Sequence, residues 1–437
     1  MRRLAMEDLA AWKGRPDRRP LLLYGARQVG KTWLVREFAR QYYQQIVELN
    51  FFHNNALADI FSGDLTPQTI IGQLELTFNV KIDPATTLIF FDEIQESQRA
   101  MDSLKLFNDK APQYHIVAAG SFLGVSVMRW PVGQTDHYNL YPMNFTEFLL
   151  ALQEDQLVQV LQDLRTDYLT APIREKFERY LREYFYVGGM PRAVENYAAY
   201  RDLEKVRDIQ NTMLEDCQGD FNKHIAPRDA RRVGMLWDAI PIQLAKENKK
   251  FIYRQVKEGG RAAEFEIAME WLIGTGMVHR VYRVADAQIP LAMHCKRDFF
   301  KLYMLDIGLF GAKANIRPNH LLLKGSDMVG TMNGALAEQF VLQELKSVRL
   351  TDIYYWFREA PAQAELDFLL TLDDGNIVPL EVKAAHNTKA RSLKIYRDLY
   401  HPAKAVRSSL NQFRVENQLY DIPLYMIAQI ARLLAKD

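Results

Sequence analysis

A glycine-containing motif between a strand pattern and a helix pattern constrains this chain most strongly. Residues 25–32 read GARQVGKT, after the apolar residues 21–23 and before a helical pattern over 33–40. Glycines let backbone N–H groups turn inward around phosphate oxygens, and the following helix adds the positive end of its dipole. Lys31 is placed to reach the β- and γ-phosphates, and Thr32 to bind Mg²⁺. The predicted nucleotide-binding residues here are Gly25, Ala26, Arg27, Gln28, Val29, Gly30, Lys31, Thr32 and Trp33.

Two acids end a second strongly apolar run, residues 86–94, which reads TTLIFFDEI. A run without alternation is typical of a central parallel strand that helices cover on both faces. At its carboxyl end, Asp92 can hold Mg²⁺, usually through water, and Glu93 is placed to polarise an attacking water. An acid pair that only caps a surface loop is the alternative, which the upstream motif disfavours. Lys31, Asp92 and Glu93 are the predicted catalytic residues.

Strand and helix patterns alternate through the first part of the chain. Residues 45–52 and 115–120 are apolar and rich in β-formers, and the second run leads into Ser121. Ser121 is either a sensor of the γ-phosphate, and so part of the nucleotide site, or a helix N-cap. The alternation predicts an α/β fold with a doubly wound parallel sheet and a ligand at the carboxyl ends of its strands.

Seven short motifs are spread over the whole chain. They are GARQVGKT at 25–32, FDEIQ at 91–95, AGS at 119–121, YPMNFTEF at 141–148, GGMP at 188–191, FKLYMLDIGL at 300–309 and LEVK at 380–383. Together they resemble a prokaryotic family of AAA-type ATP-binding proteins with a C-terminal domain of unknown function. The resemblance implies a P-loop AAA-type ATPase core over 1–145 that uses ATP and Mg²⁺, followed by a helical lid over 146–205. One departure is Gln134, where the family more often carries a basic residue.

Hydrolysis in AAA-type proteins also needs an arginine aimed at the γ-phosphate, often from a neighbouring subunit. Arg129 and Arg192 each stand beside one of the motifs and are the candidates. The alternative for each is an ordinary solvated or ion-paired arginine. An arginine supplied by a neighbouring subunit implies that the protein forms a homo-oligomer.

The middle of the chain shows a pattern of three helices followed by two strands. The helices are predicted over 231–247, 253–259 and 263–274, and the strands over 277–284 and 299–303. This order predicts a winged helix-turn-helix domain within residues 206–320.

The charges of this domain leave its partner open. The last predicted helix carries three acids and no base over 263–273, which argues against reading of a DNA groove because phosphates would repel it. Contact with the DNA backbone through Lys257, Arg261, Arg280 and Arg283 is the alternative. A winged helix that packs or contacts protein is slightly favoured.

A hairpin signal near the C-terminus brings two acids face to face. Two β-rich runs flank the Asp-Asp-Gly loop at 373–375. With this loop, Asp367 faces Glu381, and Lys383 and Glu365 share their side of the sheet because side chains alternate. Opposed carboxylates repel each other, so a divalent cation or a lysine must lie between them.

These acids resemble the PD-(D/E)XK nuclease superfamily, with Glu338 as the acid on the preceding helix. The resemblance implies a restriction-endonuclease-like α/β domain over 321–437. It also implies Mg²⁺ held by Asp367 and Glu381, with Lys383 positioning water or stabilising charge on the phosphate. The preferred alternative is an inactive nuclease fold in which Lys383 only neutralises the acids.

Net charge limits where a polyanion can bind. The chain has 55 Lys+Arg and 54 Asp+Glu, a formal net charge of +1, so a nucleic-acid site has to be a local patch. Residues 381–407 form such a patch, with seven Lys or Arg against two acids, and are a candidate DNA contact.

Cysteine usage and apolar patterns indicate the compartment. The two cysteines, Cys217 and Cys295, suit neither a zinc cluster nor a disulfide framework. The longest apolar runs, such as 88–91, are far shorter than the ~20 residues that span a bilayer, and no signal peptide is predicted. A cytoplasmic protein without a membrane partner is expected.

Two functions fit these patterns. The first is a Mg²⁺-dependent ATPase of the AAA type that couples its nucleotide state to a C-terminal DNA-binding or nuclease-like module. The alternative is a nucleotide-gated regulatory switch that binds a protein partner and carries a catalytically inactive nuclease fold.

Overall fold

A computed structural model describes residues 1–121, 133–246, 249–322, 331–360, 363–372, 374–384 and 391–435. The chain divides into two compact units. Residues 2–141 with 274–276 form the N-terminal unit, and residues 142–273 with 277–437 form the C-terminal unit. The finer division into four domains stays a prediction.

The N-terminal unit alternates helices and strands. Its helices are α1 (Ala5–Gly14), α2 (Lys31–Tyr42), α3 (Pro67–Phe78) and α4 (Gln98–Lys110), and its strands are β1 (Leu21–Tyr24), β2 (Gln45–Asn50), β3 (Thr87–Asp92), β4 (His115–Ala119) and β5 (Asp136–Asn139). These strands are parallel, in the order β2-β3-β4-β1-β5. The prediction of an α/β fold with a parallel sheet is confirmed.

Burial explains the sequence pattern of the central strands. Every residue of β3 and β4 is buried, so neither strand alternates apolar and polar positions. Beside the end of β3, the rings of Phe51, Phe61 and Phe91 pack edge to face with centroids 5.4 to 5.9 Å apart. Because parallel strands end at the same edge of a sheet, the segments after β1, β3 and β4 meet there.

The C-terminal unit combines a helical region with a mixed sheet. Its helices are α5 (Phe145–Ala151), α6 (Asp155–Gln162), α7 (Ala171–Val187), α8 (Pro191–Tyr200), α9 (Leu203–His224), α10 (Pro227–Leu244), α11 (Ala262–Gly274), α12 (Ile307–Lys313), α13 (Pro318–Leu322), α14 (Thr331–Ser347), α15 (Arg391–Tyr400) and α16 (Ile430–Leu434). Its strands are β6 (Val278–Val284), β7 (Cys295–Met304), β8 (Ile353–Arg358), β9 (Ala364–Thr371), β10 (Ile377–Val382), β11 (Ala405–Ser409), β12 (Arg414–Glu416) and β13 (Leu419–Pro423), in the order β12-β13-β11-β10-β9-β8-β6-β7. Across the described ranges of both units, no helix combines the length and apolar character that a bilayer crossing needs.

The region predicted as a winged helix shows two of its three helices. The helices α10 and α11 are present. The prediction of a helix over 253–259 is wrong, because the chain there makes only the 3-10 turn Tyr253–Gln255. Gly259 adopts φ +70°, and a Cβ at Gly260 would lie 2.9 Å from the Tyr253 carbonyl oxygen. The strands β6 and β7 pair antiparallel, as a wing does, yet β6 also pairs in parallel with β8. The hairpin therefore belongs to the large sheet.

Three of the motifs outside the nucleotide loop meet in a buried hydrogen-bonded cluster. The Met143 N–H donates to the Gly189 carbonyl oxygen at 2.7 Å, and the Tyr184 hydroxyl donates to the Met143 carbonyl oxygen at 2.5 Å. The Gly189 N–H in turn donates to the Asp306 carboxylate at 2.6 Å. Met143, Tyr184, Gly189 and Asp306 are called the Asp306 junction below. It links the YPMNFTEF, GGMP and FKLYMLDIGL motifs.

Helix α14 completes the Asp306 junction. Gln343 accepts a hydrogen bond from the Ile307 N–H at 2.8 Å and donates to the Tyr184 hydroxyl at 2.9 Å. Glu344 accepts from the Phe145 N–H at 2.9 Å, and burial raises the pKa of Glu344 to about 8. The helices predicted to form a lid therefore belong to the same unit as α12 and α14, and these hydrogen bonds connect them.

Replacing Gly189 by alanine should destabilise the protein, because the added Cβ would lie far inside contact distance of the Met143 carbonyl oxygen. We expect a loss of about 1–3 kcal/mol in the free energy of unfolding, as for other overpacked sites. The control is Gly219→Ala in α9, where nothing lies within 4 Å of the new Cβ and alanine should add about 0.5–1 kcal/mol. Chemical denaturation compares the two variants, and equal stabilities would contradict the close approach at Gly189.

Candidate functional site

The loop between β1 and α2 has the backbone conformation that the glycine motif predicts. Gly25, Gln28 and Gly30 have φ values of +147°, +63° and +95°. A side chain at Gly25 would collide with the Leu140 carbonyl oxygen, so glycine is required there. Gly30 precedes α2 and offers no side chain to cap it. The first amides of α2 are therefore available to an anion.

Lys31 is buried within this loop. Its ammonium group donates to the carbonyl oxygens of Gly25 and Ala26 at 2.7 and 2.9 Å and to the Ser121 hydroxyl at 2.9 Å. Burial lowers the pKa of Lys31 to about 8, although two nearby carboxylates act against this. An anion bound beside Lys31 would favour its charged form.

Asp92 lies at the end of β3, beside the first turn of α2. The Thr32 hydroxyl donates to its two oxygens at 3.1 and 3.3 Å, and the Asn50 amide donates to one of them at 3.0 Å. Burial raises the pKa of Asp92, the neighbouring Glu93 adds to this, and the hydrogen bond from Thr32 opposes it. Carboxylate and hydroxyl oxygens are ligands that Mg²⁺ accepts, so Thr32 and Asp92 fit the metal of a nucleotide complex.

Asn50 is a residue of this site that the sequence analysis missed. It ends β2 directly opposite Asp92 in the parallel register. Its side-chain oxygen accepts a hydrogen bond from the His53 N–H at 2.9 Å, so both ends of the amide are fixed. A polar residue at the end of an apolar run can be recognised in the sequence. Its role can be assigned only once β2 and β3 are known to be neighbours.

Glu93 follows Asp92 with a left-handed backbone, φ +52°. Its carboxylate accepts a hydrogen bond from the Gln95 amide at 2.6 Å. The 3-10 turn Ile94–Glu96 comes next, and its Ile94 is fully buried. Glu93 acts electrostatically on Lys31, which places it at the same edge of the sheet.

Three further predicted residues lie in different places. Ser121 is buried directly after β4, where it meets Lys31, and Trp33 is 38% exposed on α2. Arg129 lies outside the described residues. Arg192 is exposed at the start of α8, in the C-terminal unit.

Gln134 lies away from the nucleotide loop. It precedes β5, and its side-chain oxygen accepts a hydrogen bond from Asn108 of α4. Because β5 runs parallel to β1, this position is at the amino ends of the strands, opposite the edge that carries Lys31. The departure from the family pattern at Gln134 therefore leaves the loop around Lys31 unchanged.

In the C-terminal unit, β9 and β10 pair in the register predicted from a loop at 373–375. Leu380 stands opposite Phe368, which confirms that register. Asp367 and Glu381 occupy the next facing positions. Glu381 is buried and Asp367 is half-buried, and Asp367 lies close to Glu338 of α14.

Lysines lie among these acids. The Lys383 ammonium is 2.6 Å from Glu381, and the Lys301 ammonium is 2.5 Å from Glu365 and 3.6 Å from Glu338. Burial alone would lower the pKa of Lys301, but Glu365 and Glu338 hold it well above its usual value. Lys301 was not predicted, because a lysine inside an apolar strand pattern carries no sequence signal for its partners.

The environments of Glu338 and Asp367 shift the pKa values of these neighbouring acids in opposite directions. Glu338 is paired with Lys249 and accepts a hydrogen bond from the Tyr303 hydroxyl at 3.1 Å. Burial alone would raise the pKa of Glu338, but Lys249 and Lys301 hold it below its usual value. Burial and the adjacent Glu338 raise the pKa of Asp367, which also accepts a hydrogen bond from the Val382 N–H at 2.8 Å. In the described parts of the chain, no group of three or more His, Cys, Asp or Glu side chains is arranged to hold a metal ion.

The basic segment 381–407 is largely engaged within the protein. Lys389 lies outside the described residues, while Arg391 and Lys394 are exposed on α15. The members that bond to the protein itself are Lys383, Arg397, Lys404 and Arg407, with Glu381, Asn417, Leu434 and Asp421 as partners.

Three of the four candidate DNA-contacting cations of the predicted winged helix are also paired. Lys257, Arg280 and Arg283 lie 2.8, 2.8 and 3.3 Å from Glu264, Glu270 and Glu359. Arg261 is exposed. A cation with an acid beside it presents little net charge to a phosphate.

Comparison with protein families divides the chain into three matched segments. Residues 17–149 match the model described as "AAA domain". Residues 178–320 and 333–427 match two models described as domains of unknown function, DUF8612 and DUF4143. A search of curated proteins finds no match.

Solved structures give loose similarities. The Walker-type ATPase PABY2304 of Pyrococcus abyssi is 12% identical with a TM-score of 0.44, over 72% of this chain and 95% of that one. PCH-2 of C. elegans is 18% identical with a TM-score of 0.28, over 46% and 62% of the two chains. The Aeropyrum pernix ORC1 protein in complex with DNA is 13% identical with a TM-score of 0.29, over 73% and 92%.

TM-scores below 0.5 do not bear on function, so the family match and the site geometry carry the conclusion. The matched segment contains the loop of Lys31, the strand that ends at Asp92, and Ser121. Residues 17–149 are therefore an AAA-type ATP-binding domain.

Proposed function

We propose that this protein is a Mg²⁺-dependent, cytoplasmic ATPase of the AAA type that couples its nucleotide state to the C-terminal unit. The observation that supports this most directly is that Lys31, Thr32, Asp92 and Ser121 meet through hydrogen bonds at one edge of a parallel sheet. The chain enters the C-terminal unit at Pro142, shortly after β5, and the short segment 274–276 returns to the N-terminal unit.

Each residue of the loop has its own part in nucleotide binding. The backbone N–H groups of residues 25–32 bind phosphate oxygens, and Lys31 exchanges its carbonyl partners for the β- and γ-phosphates. Thr32 and Asp92 would hold Mg²⁺. When bound, that ion supplies positive charge to the phosphate oxygens during transfer.

Glu93 would orient and polarise the water that attacks the γ-phosphate. Ser121 touches the Lys31 ammonium and would respond to the same phosphate. An arginine from a neighbouring copy of the chain would complete the site, with Arg129 and Arg192 as the candidates. This requirement makes a homo-oligomer part of the proposal.

We assign the C-terminal unit to binding of a protein partner, with an inactive nuclease-like sheet. Lys249, Lys301 and Lys383 already neutralise the buried acids. Five of the lysine and arginine side chains that would meet DNA, namely Lys257, Arg280, Arg283, Lys383 and Arg407, are paired with acids of the protein itself. Both facts reduce the positive field that a nucleic acid needs.

The second candidate is a Mg²⁺-dependent nuclease in the C-terminal unit, with DNA as its partner. It is favoured by the confirmed register of β9 and β10, which sets Asp367 against Glu381 with Lys383 beside them. In this candidate, Asp367 and Glu381 would hold Mg²⁺ as carboxylates, and Glu338 would support them.

The first test separates binding from hydrolysis. Lys31→Ala should abolish ATP binding, because the buried cation beside the phosphates is lost. Glu93→Gln should keep ATP binding but slow hydrolysis by about 10²-fold or more, as expected for loss of one electrostatic contributor. Calorimetry and phosphate release measure the two steps. Matched controls are Lys105→Ala and Glu96→Gln, both at exposed positions, and wild-type hydrolysis by Glu93→Gln would refute the role of Glu93.

The second test uses the pKa of Lys31, which burial lowers to about 8. Well below that pH, Lys31 already carries its positive charge, so ATP binding causes no proton uptake by Lys31. Above it, Lys31 is neutral and must gain a proton to meet the phosphates, so affinity should fall as pH rises through about 8. Calorimetry at about pH 6.5 and 8.5, in buffers of different ionisation enthalpy, counts the protons. Lys31→Arg stays charged at both values and should take up none, and identical behaviour of the two proteins would overturn the assignment.

The third test compares the two roles of the C-terminal unit. Plasmid DNA should stay intact when incubated with wild type and Mg²⁺ or Mn²⁺, and Glu381→Gln should behave identically. Cleavage that is lost in Glu381→Gln, but kept in the exposed control Glu416→Gln, would instead establish the nuclease. Thermal unfolding of each variant shows whether a loss of cleavage reflects a loss of folding.

A further inference from the structure

The two acids at the end of β3 are held by different partners. Thr32 and Asn50 donate to Asp92, whereas Gln95 donates to Glu93 at 2.6 Å. A hydrogen bond from an amide to a carboxylate is charge-assisted and therefore strong. The proposed water-activating group thus has a donor of its own, two residues farther along the chain.

The backbone around Glu93 is fixed on both sides. Asp92 belongs to β3, and Glu93 then turns with φ +52° into the 3-10 turn Ile94–Glu96. The carbonyl oxygen of Glu93 accepts from the Glu96 N–H at 3.0 Å. A left-handed conformation at a residue other than glycine persists only where its surroundings impose it. The remaining freedom of Glu93 lies in its side-chain torsions, which the bond to Gln95 restricts.

The side-chain oxygen of Gln95 also indicates that the Gln95 side chain is held by its bond to Glu93. Its side-chain oxygen is buried and has no hydrogen-bond partner among the described residues. A buried carbonyl oxygen without a partner is unfavourable, so the side chain is not held there by its own oxygen. The bond to Glu93 is the polar contact that stabilises this orientation. Buried unsatisfied groups of this kind mark positions with a functional reason.

We propose that Gln95 is a positioning residue for ATP hydrolysis, which orients the Glu93 carboxylate toward the attacking water. The inference rests on the proposed function. The Gln95 amide takes one oxygen of Glu93 and leaves the second to accept the hydrogen of the water. Gln95 acts through Glu93, so it matters for turnover and not for ATP affinity.

The experiment replaces Gln95 in two ways. Gln95→Leu removes the donor at similar size, and Gln95→Glu replaces it with a second acid that repels Glu93. We expect kcat to fall about tenfold in the first variant and more in the second, with Kd for ATP within about twofold of wild type. The matched control is Gln98→Glu, because the half-buried Gln98 donates to Asp102 of its own helix at 2.9 Å. This control should keep the wild-type kcat.

Combination with Glu93→Gln distinguishes positioning from a structural effect. If Gln95 acts only through Glu93, then Gln95→Leu should cause no further loss of kcat in a Glu93→Gln background. A structural role would lower kcat by the same factor in both backgrounds and would overturn the inference. The inference would also be overturned if Gln95→Glu kept the wild-type kcat while Glu93→Gln was inactive. That result would leave the proposed function intact. Absence of ATP hydrolysis by the wild type would overturn the proposed function and this inference together.

Discussion

The parallel direction of β1, β3 and β4 is the constraint on which the nucleotide site depends. Parallel strands place their carboxyl ends at one edge, so residues far apart in sequence meet without any long connection. Lys31 reaches Ser121 and Thr32 reaches Asp92 for this reason. The same geometry separates Gln134 from the site, because it precedes a strand instead of following one. Position along a strand, more than residue type, decides which polar groups can serve the phosphate loop.

Buried charge organises the C-terminal unit in a similar way. Asp306 is fully buried and is satisfied by the Gly189 N–H, the Leu309 N–H and the Gln343 amide. An unpaired charge at such a position would be strongly destabilising, so segments that are distant in sequence must come close enough to donate. Glycine at 189 permits that approach, since a side chain would collide with Met143. The YPMNFTEF, GGMP and FKLYMLDIGL motifs are therefore connected by packing around this one acid.

The sequence predicted the parts of the molecule that short-range patterns determine. The GARQVGKT motif fixed the loop, the continuous apolar run fixed β3 with its terminal acids, and the loop at 373–375 fixed the register of β9 and β10. It did not reveal Asn50, whose role needs the strand order, or Lys301, whose role needs its ion pairs with a helix and a strand far along the chain. The helix predicted over 253–259 failed because Gly259 and Gly260 permit a turn too tight for an α-helix.

A count of charged residues is the sequence signal that predicts binding least well, because it does not show which charges are paired in the folded protein. Residues 381–407 carry seven Lys or Arg, but Arg407 lies in a two-bond contact with Asp421, and Lys383 lies against Glu381. A partner acid within about 3 Å cancels most of the field that a distant phosphate would feel, whereas the count treats each cation as free. Arg280 and Arg283 of β6 are paired with acids in the same way. Part of the positive charge that the count assigns to these segments is therefore already compensated within the protein.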